Sequence, residues 1–147
     1  MIARSIYLAA AWPERARIRA LAQELRGMGH HVLSDWYEME HDHEDYAGLS
    51  HEEAVQIARH FFEVLGDVDL MILDTQGESR GGRDFEAGVG FSVTADGLLT
   101  GGVWVVGPPT SVFTHLIGMI QERDNHLPFP ATWEDVKTAL APVPAHS

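Results

Sequence analysis

Four apolar runs set the rhythm of the chain. Residues 5–12, SIYLAAAW, are almost continuously apolar, the pattern of a strand buried on both faces. HHVLSDW (30–36) reads as a second strand, DVDLMILDT (67–75) as a third, and GGVWVVGPP (101–109) as a fourth that two prolines stop. Between these runs the period changes from strand to helix. After Pro13, a residue suited to a helix's first turn, Ile18, Leu21, Leu25 and Met28 recur at helical spacing, and Gly27 and Gly29 supply the stop. Ser50 and Glu53 form a capping box, and the helix they open carries Ala54, Ala58, Phe62 and Leu65 on one face. Further helices are predicted from about Arg83 to Ala95, near 110–121, and after a second capping pattern at Thr132 and Asp135, where Trp133, Val136 and Leu140 follow.

Strands that alternate with helices, without hairpin signals, predict a single α/β domain over residues 1–147. Its sheet is parallel and covered by helices on both faces. The tail 142–147 is expected to fray. In open parallel sheets ligands bind beyond the carboxyl ends of the strands. That rule brings Ala10–Trp12, Asp74–Gly82 and Gly107–Phe113 to one cleft, and it makes Ala10, Trp12, Gly107 and Phe113 candidate substrate contacts.

Composition narrows the partners. A chain of 147 residues fits one domain, and it has no cysteine for disulfide or thiolate chemistry. The net charge of −12, with only ten Lys and Arg and no basic stripe, argues against long nucleic acid. No stretch is apolar enough to span a bilayer. The N-terminal apolar run is short for a signal peptide and is interrupted by Arg4 and by Pro13–Arg17. A cytoplasmic protein with no membrane partner is expected.

The candidate chemistry lies in RGGRDFEAG (80–88). Gly81 and Gly82 let a ligand approach the main chain. Arg80 and Arg83 add forked donors, and the helix start adds free amides and a positive dipole end. Together these favour a phosphate or another small anion; alternatively the glycines only turn the chain and the arginines are solvated. Glu86 lies in the first turn, where the dipole favours its ionised form. There it either complements the dipole or attacks a sugar cation, the usual task of carboxylates in sugar chemistry. Asp84 reads as a solvent-facing helix-start residue and Asp69 as structural. His41 and His43 sit among Glu38, Glu40, Asp42, Glu44 and Asp45 in a polar loop over 37–49. A His-x-His pair in such a loop does not make a zinc site, so no metal is expected. The loop suits a lid under which Trp36 and Tyr37 stack on a base; the alternative packs Trp36 under the sheet edge.

IYLAAAW, GDVDLMILDT, GGRDFEAGVGF and GGVWVVGPPTSVFTHL follow one another in an order that resembles the nucleoside 2-deoxyribosyltransferase-like family. The likeness is to its short phage and bacterial members, with their GGR-x-x-E-x-G turn and V-V-G-P strand. SDWYEMEH and TWEDVKTAL extend it over nearly the whole chain. The resemblance implies a flavodoxin-like sheet of five parallel strands and a homodimer or larger homo-oligomer. It also implies cleavage or transfer at the N-glycosidic bond of a nucleoside or nucleoside 5′-monophosphate, with no cofactor. The family's nucleophile falls on Glu86. Its orienting tyrosine falls on Tyr7, which otherwise reads as a strand residue with a satisfied hydroxyl.

Two positions depart from the family. Eight residues before Asp69, where the family carries a helix aspartate that protonates or positions the base, stands Phe61, with His60 beside it. His60 takes over as acid, since histidine titrates near neutrality, or Phe61 stacks on the base, or Phe61 is core beside Phe62. Arg80 replaces an aspartate six residues before Glu86, which favours a phosphorylated substrate. Asp74 is placed to bind a sugar hydroxyl or protonate the base, and Asn125 to reach a neighbouring subunit's site. Two rival readings remain: a nucleotide-binding or sensing module without turnover, and an NAD-type N-glycosidase.

Overall fold

The computed structural model describes residues 2–39, 48–77 and 102–142, apart from the side chain of Phe113. Four strands, β1 (Ser5–Ala9), β2 (His31–Val32), β3 (Leu70–Asp74) and β4 (Gly102–Val106), pair in parallel in the order β2-β1-β3-β4. Ile6 stands opposite Leu70 and Ile72 opposite Trp104. Every residue of β3 is buried, as its unbroken apolar run requires of a strand enclosed on both sides. Burying each such aliphatic side chain contributes about 1.5–3 kcal/mol.

The helices are α1 (Arg15–Gly27), α2 (His51–Asp67), α3 (Val112–Asn125) and α4 (Trp133–Leu140). α1 buries Ile18, Leu21, Ala22 and Leu25, and Gly29 beyond its end takes φ 96°. α4 lies beside α1, held by the Lys137–Glu24 ion pair and by His30 Nε2 against the Leu140 carbonyl. From β1 the chain steps outward to β2, then returns past β1 to β3. With right-handed crossovers that reversal puts α1 and α2 on opposite faces and makes the gap between β1 and β3 a switch point.

Several boundaries differ from the sequence pattern. β1 ends at Ala9 because a 3-10 turn at Trp12–Glu14 leads directly into α1. β2 keeps only two residues. Beyond it Ser34 Oγ accepts from the Leu8 amide at 3.0 Å and Trp36 Nε1 donates to the Leu8 carbonyl at 2.7 Å, so side chains take over the ladder. On α2, Leu65 is buried and Ala54 half-buried as predicted, but Ile57, Phe61 and Val64 turn inward in place of Ala58, which is exposed, and Phe62, which is 60% exposed. Both capping boxes form as predicted, at Ser50–Glu53 and Thr132–Asp135.

The described sheet has four strands rather than five. A single parallel bridge, Val106 to Ala131, stands where a fifth would begin. Pro128 and Pro130 both precede that point and have no amide to donate to a ladder. The predicted helix from Arg83 to Ala95, most of the loop over 37–49 and the tail from 143 lie outside the described residues. No described helix is long and apolar enough to cross a membrane.

Candidate functional site

The carboxyl ends of β1 and β3 meet beside the switch point. Tyr7 is buried on β1, and its ring meets the edge of Phe61 from α2 at 5.7 Å and 81°. Phe61 in turn stands edge-on to Phe62 at 5.8 Å. Of the two readings of Phe61 itself, the arrangement is that of packing: the ring closes over the tyrosine as part of the core margin.

His60 precedes it on α2 and reaches the other way. Its Nε2 lies 2.9 and 2.7 Å from the two Asp35 carboxylate oxygens, and the side chains are 44% and 49% exposed. Asp35 sits between Ser34 and Trp36, both bonded to Leu8. The pair is therefore pinned near the carboxyl end of β1. Asp35 carries no sequence signal as a functional residue. Its tie to His60 spans 25 positions and emerges only when α2 crosses back over β1.

Asp74 closes β3 and is buried among donors. Arg17 clasps it with Nη1 at 2.8 Å from Oδ2 and Nη2 at 3.0 Å from Oδ1. Trp133 Nε1 donates at 2.8 Å and the Gln76 amide at 2.9 Å. The Asp74 hydrogen bonds, followed by those of Glu14, hold the Arg17 guanidinium above its usual pKa against the opposing cost of burial. A carboxylate offers about four lone-pair sites, and four donors fill them. Asp74 thereby ties α1, β3 and α4 together, and these bonds use the acceptor sites that the expected contact to a sugar hydroxyl or base would need.

The aromatic candidates are also claimed by the protein. Trp36 and Tyr37 are both buried in a 3-10 turn. Trp36 stands edge-on to Tyr37 at 5.3 Å and tilted against Trp12 at 6.4 Å. Burial pushes the Tyr37 phenol pKa upward. The stacking role expected of these two is replaced by packing under the sheet edge. Trp12 is partly buried, with the Arg15 guanidinium 4.6 Å from its ring centre. Ala10 is buried at the end of β1.

Gly107 takes φ +102°, and a Cβ there would stand 2.5 Å from Thr75 Oγ1. That hydroxyl donates to the Pro108 carbonyl at 2.6 Å. Here glycine is required by backbone conformation and by the close approach of the β3 end.

Asp69 bonds the Ser5 amide and pairs with Arg4, in keeping with a structural role at the amino end. Asn125 ends α3. Glu86, Arg80, Gly81, Gly82, Arg83, Asp84, His41 and His43 lie outside the described residues, as does the Phe113 side chain.

Among the described residues no group of three or more His, Asp or Glu side chains is placed to hold a metal ion. An open groove on α3, lined by Leu116, Met119, Ile120, Glu122 and Arg123, contains none of the candidate residues. The arrangement at the sheet edge thus offers a buried phenol, an imidazole held by a carboxylate, and an arginine stacked on an indole. Comparisons of the chain with family models, with curated proteins and with solved structures return no match.

Proposed function

We propose that the chain is an enzyme that cleaves or transfers at the N-glycosidic bond of a deoxynucleoside or nucleoside 5′-monophosphate. Glu86 is the nucleophile, Tyr7 orients it, and Arg80, Gly81, Gly82 and Arg83 bind the sugar or phosphate end. The observation that carries the reading is the grouping of Tyr7, His60 and Asp35 around the carboxyl end of β1, beside the switch point of a parallel sheet. Ligands in such folds bind at that position, and a flavodoxin-like arrangement of this kind is what the motif order implies. A carboxylate attacking the anomeric carbon, helped by a proton on the leaving base, is the general solution to glycosidic cleavage. Incubating the protein with deoxynucleosides and their 5′-monophosphates yields free base, and Glu86→Gln abolishes it. Full turnover by that variant removes Glu86 from the mechanism.

One observation favours a second reading. Phe61 stands where the family's helix aspartate would be and is spent on packing against Tyr7. A binding or sensing module that has lost turnover accounts for that exchange. Tight nucleotide binding without base release under any condition supports this second reading over the first.

A further inference from the structure

We infer that His60 and Asp35 form one proton-handling unit: His60 hands a proton to the departing base, and Asp35 is the positioning residue that aims the imidazole. The inference rests on the N-glycosidic reading above and gives it the acid that the aspartate-to-Phe61 exchange removed.

Three observations carry it. The first is location. Asp35 is flanked by the two side chains that bond both backbone groups of Leu8, and Phe61, next to His60, packs on Tyr7. The imidazole is therefore tethered at the level where β1 ends. The second is direction. Nε2 faces both oxygens of Asp35 at 2.9 and 2.7 Å. A carboxylate there fixes the N–H on Nε2 and orients the ring, leaving Nδ1 to exchange the proton. Among the described residues Nδ1 has no hydrogen-bond partner. The third is exposure. With both side chains close to half exposed, the pair adds little to stability, so a purely structural purpose explains it poorly.

Among the described residues, the other charged or titratable groups near the ring are these. On α2, Arg59 is adjacent and Glu63 is three residues on. From the turn after β2, Glu38 is engaged by Arg19. From β1, the Tyr7 ring meets the edge of Phe61. Among the described residues, the carboxylate hydrogen-bonded to the imidazole is that of Asp35.

The step balances. The proton on Nδ1 passes to a ring nitrogen of the base as the C1′–N bond breaks. The electron pair of that bond leaves with the base, and the nucleophile's carboxylate oxygen forms a bond to C1′. Neutral imidazole remains and regains its proton from water.

The test pairs two leaving groups on the full-length protein. Deoxyadenosine needs a proton on its base to depart; 4-nitrophenyl 2-deoxyriboside releases a stable anion without one. Each is assayed with and without a 5′-phosphate. His60→Gln is expected to lower adenine release by about 10²-fold or more while leaving 4-nitrophenol release within about threefold. Asp35→Asn, by loosening the hold on Nε2, shows the same split between the two leaving groups, lowering adenine release by about tenfold or more and sparing 4-nitrophenol release. Urea midpoints of both variants match the parent protein; should His60→Gln unfold, the Asp35→Asn split carries the test. Equal losses on both substrates, or no loss on either, overturns the inference. A parent protein that releases neither leaving group overturns the N-glycosidic reading and this inference with it.

Discussion

Two aspartates stand at the same edge of the sheet and are used in opposite ways. Asp74 ends β3 in the interior, with Arg17, Trp133 and the Gln76 amide filling its acceptor sites. Asp35 follows β2 near the surface, and among the described residues its ion-pair partner is His60. A buried carboxylate persists only if its charge is fully paired, so the first is committed to architecture. A half-exposed carboxylate pays little for its charge and can lend it to an imidazole. The difference shows that proximity to the cleft does not choose the chemical residue; unspent hydrogen-bonding capacity beside it does.

This contrast can be broken experimentally. The largest effect is expected from Asp74→Ala, which takes the acceptor from the Trp133 indole and from both Arg17 Nη groups, leaving Arg17 only its bond to Glu14. Loss of one partner of a buried pair costs about 3–5 kcal/mol, and because Arg17 is 32% exposed about 3 kcal/mol is expected from urea denaturation. A loss below about 1 kcal/mol would remove the architectural half of the comparison.

Gly107→Ala comes next. It forces a side chain into a left-handed backbone against Thr75 Oγ1, and such strain costs about 1–3 kcal/mol. The same denaturation series reads it. Ser50→Ala probes the other aspartate's side of the molecule. α2 buries only Leu65 fully, so its N-cap matters to the helix that carries His60, and its loss costs about 1 kcal/mol. A matching drop in amide exchange protection over the first turn of α2 is the sharper readout. The smallest effect is expected from His60→Gln, within about 0.5 kcal/mol of the parent; a loss several times larger would make the His60–Asp35 pair architectural too.

Much of the fold was legible because its signals are local. The apolar runs mark β1, β3 and β4, and the Ser50 and Thr132 caps mark two helix starts. What was not legible depends on tertiary choice. Two adjacent phenylalanines satisfy a helical stripe equally well, and only packing on Tyr7 selects Phe61 over Phe62. HHVLSDW has strand character throughout, yet after the Leu33 amide bonds the Ile6 carbonyl, Ser34 and Trp36 side chains replace the backbone pairing. Gln121, wholly buried, gave no warning of its role, since a lone helical glutamine ordinarily faces water.

At the candidate site, Tyr7 and His60 were legible as positions. Asp35 was not, because the contact that matters joins distant segments. Asp74 was hard to read for a related reason: its place at a strand end was visible, but two of the three groups that engage it, Arg17 and Trp133, come from distant parts of the chain.

The Gln121 amide has one more implication. Its oxygen accepts from the Val105 amide at 2.6 Å and its nitrogen donates to the Val105 carbonyl at 3.2 Å. On the opposite flank Ser34 and Trp36 do the same for Leu8. Side chains thus stand in for a neighbouring strand at one residue on each flank, beyond the end of β2 and beside β4. A backbone position paired in this way offers an incoming chain no template, so foreign strands find no purchase at Leu8 or Val105.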